Sequence, residues 1–375
     1  MLISLIDAIN KYAPNAKFCV SPLLENREQL KELNTKILSY PLFHYGDKKY
    51  FALGMRFPFL IKQLLKVKGI NAEGDIALKD IDTVFDISGF AFGEKWGGSP
   101  LKNLAFFVKK MNKQGTKFYL LPQAFGPFPS SEMAENVRQV VQNSELVMAR
   151  DKQSYEFVQS TLLAPTEKVV LFPDITLTFK SSIPISDKEF ANPFCTVVPN
   201  ERMLDKASIN WQQNYIEVIS KIVRIVIDKS DLNVIILIHA QGGSKDREVG
   251  QEILNRVLPD SSERAFIYVE EDPARLKSII SRSAFLVGSR FHALASALSS
   301  NTPALATSWL HKYEMLFQDY HCDDYSFKEP DEEIYSRVES LVSEEKRQEL
   351  RRVLESVNNE VESKSKEMWQ SVFGV

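Results

Sequence analysis

The chain has 375 residues, 44% of them hydrophobic and 25% charged, which is the composition of a globular protein of about two to three domains. This composition excludes a disordered chain, a fibrous repeat and a coiled coil. The formal net charge of −3, from 46 basic and 49 acidic residues, excludes nucleic acid as a partner but leaves room for a local basic pocket that binds a small anion.

The first predicted element is a helix, because the apolar residues from Leu2 to Tyr12 recur on one helical face. A short strand is predicted next, at Lys17–Val20. The chain is therefore expected to begin inside an αβ unit: either the fold starts with a helix, or a first strand is missing. The opening segment has no basic region, and no stretch reaches the roughly 18 apolar residues of a spanning helix, so neither a signal peptide nor a spanning helix is expected.

One apolar segment has two interpretations. Met55–Ile61 lies near Lys62, Lys66 and Lys68. The first interpretation is a buried helix with a solvated edge. The second is a peripheral contact with a membrane, which would hold a cytoplasmic protein at the inner face of that membrane.

Strands and helices alternate from residue 83 onward. The predicted strands of the first half are Thr83–Ser88, Lys117–Leu121, Leu146–Arg150 and Val169–Phe172. The predicted helices between them are Leu104–Asn112, Met133–Asn143 and Ser154–Thr161. This order predicts a parallel, doubly wound sheet.

Residues 180–193 are rich in serine, proline and charge, which is typical of a linker, and the alternation restarts after them. The predicted strands of the second half are Phe194–Val198, Val234–Ile238, Ala265–Val269, Ala284–Gly288 and Pro303–Thr307, the last being the expected final strand. The helices are Ile209–Asp228, Asp246–Val257, Pro273–Ser281 and His292–Ser299, with one or two charged helices over 332–372. The fold class predicted is α/β, with two Rossmann-like domains at 1–185 and 186–330, C-terminal helices at 331–375, and ligands expected in a cleft between the domains.

The most informative segment is Leu286–Ala297, in which an apolar strand ends at Gly288 and a helix of small residues follows. Arg290 and His292 are thus predicted in the first helical turn, where free N–H groups and the helix dipole favour an anion. Arginine suits phosphate or carboxylate, and histidine supplies a proton near neutral pH. The alternative is a surface arginine with a packing histidine. Lys312 brings another cation to the same edge.

His239 is a second candidate, because it directly follows the strand Val234–Ile238. It is either a histidine that contacts acceptor or phosphate, or a structural residue in a turn that Asp246 caps. The two interpretations stay open.

Other polar or aromatic residues are given mainly structural interpretations. Arg150 and Asp151 are expected to form an ion pair, and Asp174 to cap or support a strand. Trp96, beside glycines, either stacks on a sugar or anchors its loop.

No metal site is predicted, because Asp86, Asp174 and Asp246 are isolated from one another. The three cysteines (Cys19, Cys195 and Cys322) are far apart and lack metal-ligand spacing. Reduced cytosolic thiols are expected, without a disulfide or zinc framework.

Several segments, in their order and spacing, resemble the polysaccharide pyruvyl transferase family from about Met1 to Tyr320. They are Asp86–Phe90, Gln123–Phe128, Ala149–Tyr155, Pro173–Asp174, and Ser289–Ala293 with the downstream Lys312. The chain departs from the family at Phe291, where leucine is usual, and at Phe90–Phe92, where more glycine is common.

The resemblance implies a fold similar to the two-domain GT-B glycosyltransferases, with the acceptor side in the N-terminal domain and the donor side in the C-terminal domain. It implies transfer of a pyruvyl group from phosphoenolpyruvate to a sugar of a polysaccharide or its lipid-linked precursor, as a ketal. His292 would be the catalytic acid, and Arg290, Arg202 and Lys312 the cations that bind the donor. Phosphoenolpyruvate is then a substrate, and no cofactor is expected.

Two alternatives remain beside this one. A GT-B glycosyltransferase that uses a nucleotide sugar would need a ribose clamp, for which Glu270 and Glu271 are candidates. A non-catalytic relative would bind or scaffold without turnover. The sequence does not identify the sugar or the oligomeric state.

Overall fold

The computed structural model describes residues 1–20, 36–37, 78–181, 183–185, 188–238, 244–257, 263–308 and 311–374. These residues form two units: unit 1 is Met1–Ile175 with Lys364–Val375, and unit 2 is Thr176–Ser363. The boundary predicted after residue 185 therefore lies inside unit 2, and the predicted C-terminal region 331–375 is divided between the units. The segment Met55–Ile61 lies outside the described residues.

Unit 1 begins with the predicted helix α1 (Leu2–Tyr12), and a two-stranded parallel pair follows, β1 (Cys19–Val20) with β2 (Lys36–Ile37). Its main strands are β3 (Thr83–Asp86), β4 (Lys117–Gln123), β5 (Leu146–Ala149) and β6 (Val169–Leu171). Its further helices are α2 (Gly98–Lys113), α3 (Ser131–Asn143) and α4 (Lys152–Gln159). The main strands pair in parallel in the order β3-β4-β5-β6.

Both faces of the unit 1 sheet are covered, which explains why β4 is apolar along most of its length. Phe118 and Leu120 pack into a core with α2 and α3, while Tyr119 and Leu121 point to the other face. That second core contains α1 and, from the C-terminal end of the chain, Met368 and Trp369. Side chains alternate between the faces because a strand has a period of two.

Unit 2 contains strands β7 (Phe194–Val198), β8 (Asn233–Ile238), β9 (Ala265–Val269), β10 (Leu286–Gly288), β11 (Ala304–Thr307) and β12 (Ser326–Phe327). Its helices are α5 (Ile209–Lys229), α6 (Asp246–Val257), α7 (Pro273–Arg282), α8 (Phe291–Leu298), α9 (His311–Asp319) and α10 (Glu333–Val342). A long helix, α11 (Glu344–Phe373), begins in unit 2 and ends in unit 1.

The six strands of unit 2 are all parallel, in the order β9-β8-β7-β10-β11-β12. The chain thus winds outward from β7 in one direction and from β10 in the other, which is the Rossmann order. The direction reverses between β7 and β10, where Val198 lies opposite Gly288. In sheets of this kind, ligands bind at the carboxyl ends of the strands beside such a reversal.

Two elements of unit 2 differ from the sequence prediction. The sheet does not end at β11, because β12 pairs with it through Ser326 and Phe327. Helix α9 was also not predicted. A two-residue edge strand has no alternating pattern, and its position depends on pairing with β11, so the local sequence does not indicate it.

None of the described helices is long and apolar enough to span a membrane. The three cysteines are free thiols. Burial raises the pKa of Cys195 to about 12 and that of Cys322 to about 11, so both side chains are neutral near neutral pH.

Candidate functional site

The candidate site lies at the carboxyl edge of the unit 2 sheet, where β7 and β10 are neighbours. Arg290 is the N-cap residue of α8, and His292 lies in the first turn of that helix. Helix α8 begins directly after β10, because Gly288 ends the strand and the small, apolar sequence that follows favours a helix. The predicted juxtaposition of strand end and helix start is therefore present.

Arg290 is held by the buried carboxylate of Asp246, the first residue of α6, which follows β8. Its Nε and Nη2 donate to Oδ2 and Oδ1 of Asp246 at 2.7 and 2.6 Å. Its Nη2 also donates to Ser244 Oγ at 3.1 Å. Asp246 is fully buried, whereas the Arg290 side chain is 25% exposed. The two-point contact fixes the plane of the guanidinium, as expected of an arginine–carboxylate pair.

Asp246 also organises the turn after β7. Its Oδ1 accepts a hydrogen bond from the backbone N–H of Glu201 at 2.8 Å. Asn200 caps the same turn, since its Oδ1 accepts from the Arg202 N–H at 3.1 Å. Arg202 projects to solvent and pairs with Asp205 at 2.8 Å. One buried carboxylate thus orients Arg290 directly and holds the backbone that carries Arg202.

A buried hydroxyl network supports the β10–α8 connection at Ser289. The Ser289 hydroxyl lies 2.7 Å from that of Tyr215 and 2.5 Å from that of Thr307. The Ser289 carbonyl accepts from Asn200 Nδ2 at 2.8 Å and from the Tyr313 hydroxyl at 2.9 Å. Burial raises the pKa of Tyr215, so this hydroxyl keeps its proton. The peptide that precedes Arg290 is therefore held from several directions.

Phe291 links the remaining candidate residues. The Lys312 Nζ lies 4.8 Å from the centroid of the Phe291 ring and 5.5 Å from that of Tyr313, both within cation–π range. The ring of Phe291 also meets His292 edge-on at 5.7 Å. Lys312 lies in the first turn of α9, so the structure brings it to the helix start that carries Arg290 and His292.

Two other sequence candidates remain. His239 lies outside the described residues. Glu270 pairs with Arg275 at 2.7 Å and accepts from the Asp272 N–H, so it is committed to the start of α7. That commitment is a structural role and weighs against a ribose clamp at Glu270.

The carboxyl edge of unit 1 has a different chemistry. Asp86, at the end of β3, accepts from Ser88 N and Ser88 Oγ, each at 3.1 Å, and from Gln123 Nε2 at 3.0 Å. Arg150 pairs with Asp174 at 3.1 Å. The expected Arg150–Asp151 pair is long, at 4.0 Å, because Asp151 caps α4 through Ser154 N at 2.7 Å.

Sequence reasoning missed the partner of Arg290. The sequence indicates Asp246 only as a helix cap, and it does not predict roles for Asn200, Ser244 and Tyr313. The available signal was that Asp246 follows one apolar strand and Arg290 another, and carboxyl ends of parallel strands share an edge. Among the described residues there is no cluster of three or more histidine, cysteine, aspartate or glutamate side chains that could hold a metal ion.

Comparison with solved structures shows the fold. The S. aureus MnaA–UDP structure matches with 16% identity and a TM-score of 0.54, covering 94% of this chain and 86% of that one. UDP-GlcNAc 2-epimerase from Neisseria meningitidis, bound to UDP-GlcNAc, matches with 14% identity and a TM-score of 0.58, covering 100% and 96%. HepE from Anabaena, in complex with UDP and glucose, matches with 12% identity and a TM-score of 0.53, covering 100% and 95%.

These likenesses confirm the predicted fold class, two parallel α/β units of the GT-B type. No curated protein matches the sequence. A sequence model of the family described as polysaccharide pyruvyl transferase matches residues 1–311.

Proposed function

This chain belongs to the polysaccharide pyruvyl transferase family, and on that premise we propose that it transfers a pyruvyl group from phosphoenolpyruvate to a sugar of a polysaccharide or its lipid-linked precursor. The product is a pyruvate ketal. The observation that carries the proposal is the position of Arg290 and His292 in one helical turn beside the strand-order reversal of unit 2.

Phosphoenolpyruvate carries a phosphate and a carboxylate, so it needs fixed cations. Arg290 is oriented by Asp246, and Lys312 lies over Phe291 beside it. Arg202 lies in the turn after β7, the strand next to β10. We assign these three side chains to donor binding at the positive end of the α8 dipole.

His292 is the proposed acid. It is exposed in the first turn of α8, so a substrate can reach it. A proton delivered to the methylene carbon of phosphoenolpyruvate makes C2 electrophilic. One sugar hydroxyl adds to C2, the C2–O bond to phosphate breaks, and a second hydroxyl closes the ketal. Two hydroxyl protons are released. One replaces the proton that His292 gave to the methylene carbon, and the other leaves with phosphate.

Fixed charge around the departing phosphate is expected to lower the barrier together with the acid. Asp246 and Ser289 act through other residues in this scheme, and they are therefore positioning residues. His239 is kept as a proposed contact to acceptor or phosphate. The proposed location is the cytoplasm, where the free thiols stay reduced.

Thermal unfolding with and without phosphoenolpyruvate tests the proposal. A ligand at about 100 times its dissociation constant adds about 2.7 kcal/mol of stability. We expect this gain in the wild type and in Arg256→Ala, which changes an exposed arginine at the other end of α6. We expect its loss in Arg290→Ala and its reduction in Arg290→Lys, which keeps the charge but not the two-point pairing.

The same assay separates the alternatives. Stabilisation by UDP-N-acetylglucosamine but not by phosphoenolpyruvate would replace the proposal with a glycosyltransferase. A folded chain that responds to neither compound would contradict both enzyme assignments and favour a non-catalytic relative.

A further inference from the structure

Helix α2 of unit 1 has a solvent-facing side that carries charge of one sign. The helix contains four lysines and no acidic residue, the lysines being Lys102, Lys109, Lys110 and Lys113. Three of them are exposed and Lys110 is half-buried. The opposite side of the helix is buried in the core of unit 1. Because the whole chain has a net charge of −3, α2 concentrates positive charge on a molecule that is negative overall.

An aromatic residue lies in the middle of this basic side. Phe106 is 53% exposed. At about 100° of rotation per residue, all four lysines of α2 lie within about 60° of Phe106 around the helix axis. Single apolar residues are ordinary on protein surfaces, but this one is surrounded by the ammonium groups of its own helix. The basic side of α2 therefore combines a projecting ring with positive charge on both sides of it.

The charge on this side is only weakly compensated. Lys102 contacts Glu132 of α3 at 2.8 Å, but the two side chains are 66% and 67% exposed, and so exposed a pair contributes little. Lys109 and Lys113 pair with no carboxylate in the part of the chain that the structure describes. They lie four residues apart, where like charges on a helix repel. The helix dipole favours lysines in the last turn, but it does not explain the exposure of Phe106.

We propose that the basic side of α2 docks on the surface of an anionic phospholipid bilayer. Phosphate groups at such a surface attract lysines, and an aromatic ring is favoured at the boundary between the headgroups and the acyl chains. An anionic surface would also relieve the repulsion among the lysines. None of the described helices could span a membrane, so the contact is peripheral. This inference goes beyond the proposed function, because it concerns a surface of unit 1 and no reacting group.

Co-sedimentation of the full chain with lipid vesicles tests the surface. One set of vesicles is phosphatidylcholine with about 30 mol% phosphatidylglycerol, and the other is phosphatidylcholine alone, both at about 0.1 M salt. We expect the wild type to bind the anionic vesicles and not the neutral ones. We also expect release at about 1 M salt, where the Debye length falls to about 3 Å.

The lysines are tested by removing two charges at once. Lys109→Gln/Lys113→Gln should weaken binding to the anionic vesicles by about 25-fold, at about fivefold for each lysine. The matched control is Lys17→Gln/Lys152→Gln, which makes the same change in net charge at two exposed lysines of unit 1 outside α2. The control should bind like the wild type.

The ring is tested separately. Phe106→Ala should weaken the same binding by about fivefold, because less apolar area enters the interface. Phe106→Trp should bind at least as tightly as the wild type, because tryptophan favours membrane interfaces. Leu163→Ala is the matched control, since Leu163 is another exposed apolar residue of unit 1, and its binding should not change.

Failure of the wild type to bind anionic vesicles would overturn the proposal, as would equal binding to neutral vesicles. Undiminished binding by the α2 variants would also overturn it and assign the contact to another part of the chain, for which Met55–Ile61 is the sequence candidate. Melting temperatures verify that each variant is folded. Phosphoenolpyruvate is titrated in parallel and should bind all variants equally, so failure of the membrane contact and failure of the donor assignment are distinguishable.

Discussion

Both sheets carry an arginine–aspartate pair where their strands end, and the two pairs are built differently. In unit 2, Arg290 contacts the fully buried Asp246 at 2.7 and 2.6 Å, and the same carboxylate holds the turn after β7. In unit 1, Arg150 contacts Asp174 through one hydrogen bond of 3.1 Å. The first pair organises a neighbouring turn as well as its own arginine, whereas the second joins Arg150, after β5, to Asp174, after β6.

This difference extends to the charge that each edge offers. Beside the Arg290–Asp246 pair, unit 2 adds Arg202, His292 and Lys312. Beside its pair, the described part of unit 1 carries Asp86 and Asp151. Two sheets of similar architecture thus present edges of different chemistry, because chemistry depends on the residues at strand ends and not on the fold itself.

The largest effect is expected from His292→Ala. As the proposed acid, His292 should contribute about 10²–10⁴-fold to kcat, and its removal should leave stability nearly unchanged because the side chain is exposed. Steady-state kinetics of pyruvyl transfer measure the loss. His321→Asn is the control, since His321 is an exposed histidine of unit 2 with a φ of 54° that asparagine tolerates. A raised KM with unchanged kcat would assign His292 to binding alone.

The two pairs should differ in stability when their carboxylates are removed. Asp246→Ala removes the buried carboxylate that pairs with Arg290, and it should lower the free energy of unfolding by about 3–5 kcal/mol. Asp174→Ala removes the 3.1 Å hydrogen bond to the charged Arg150 and should lower the free energy of unfolding by about 1.5–3 kcal/mol. Urea unfolding of both variants measures the difference, and equal losses would remove the distinction between the edges.

Alkaline pH should destabilise unit 2. Burial raises the pKa of Cys195 from 9.0 to about 12, and burial also raises that of Tyr215. Between the unfolded-state pKa of Cys195, 9.0, and its folded-state pKa of about 12, the unfolded chain releases the Cys195 proton while the folded chain retains it. Stability is therefore complete below about pH 9 and declines above it, by up to about 1.4 kcal/mol per pH unit for one group. Urea unfolding at about pH 8 and pH 10, with Cys195→Ala as control, measures the slope; a slope unaffected by that substitution would assign the loss elsewhere.

The smallest effect is expected from Phe291→Leu, which restores the residue usual in the family. It removes the aromatic face 4.8 Å from Lys312, an interaction of about 0.5–1 kcal/mol. We expect phosphoenolpyruvate to bind a few-fold more weakly, with Phe291→Tyr close to wild type, by calorimetric titration. Tighter binding in Phe291→Leu would show that the ring withholds Lys312 from the donor.

Much of the fold was predictable, because helices and strands carry local periodicity. The bounds of β7, α6 and β9 agree with those predicted from the sequence. The β12 strand was missed because two residues carry no periodicity. The roles of Arg290, His292, Arg202, Lys312 and His239 stay predictions.

By itself, the sequence determined the alternation of strands and helices, and it placed Arg290 and His292 at a strand end. Only the tertiary structure decided which side chains meet there. Asp246 lies 44 residues before Arg290, and Gln123 lies 37 residues after Asp86, so no local pattern connects either pair. Parallel strand order brings such residues to one edge, and burial then requires each polar group to find a partner.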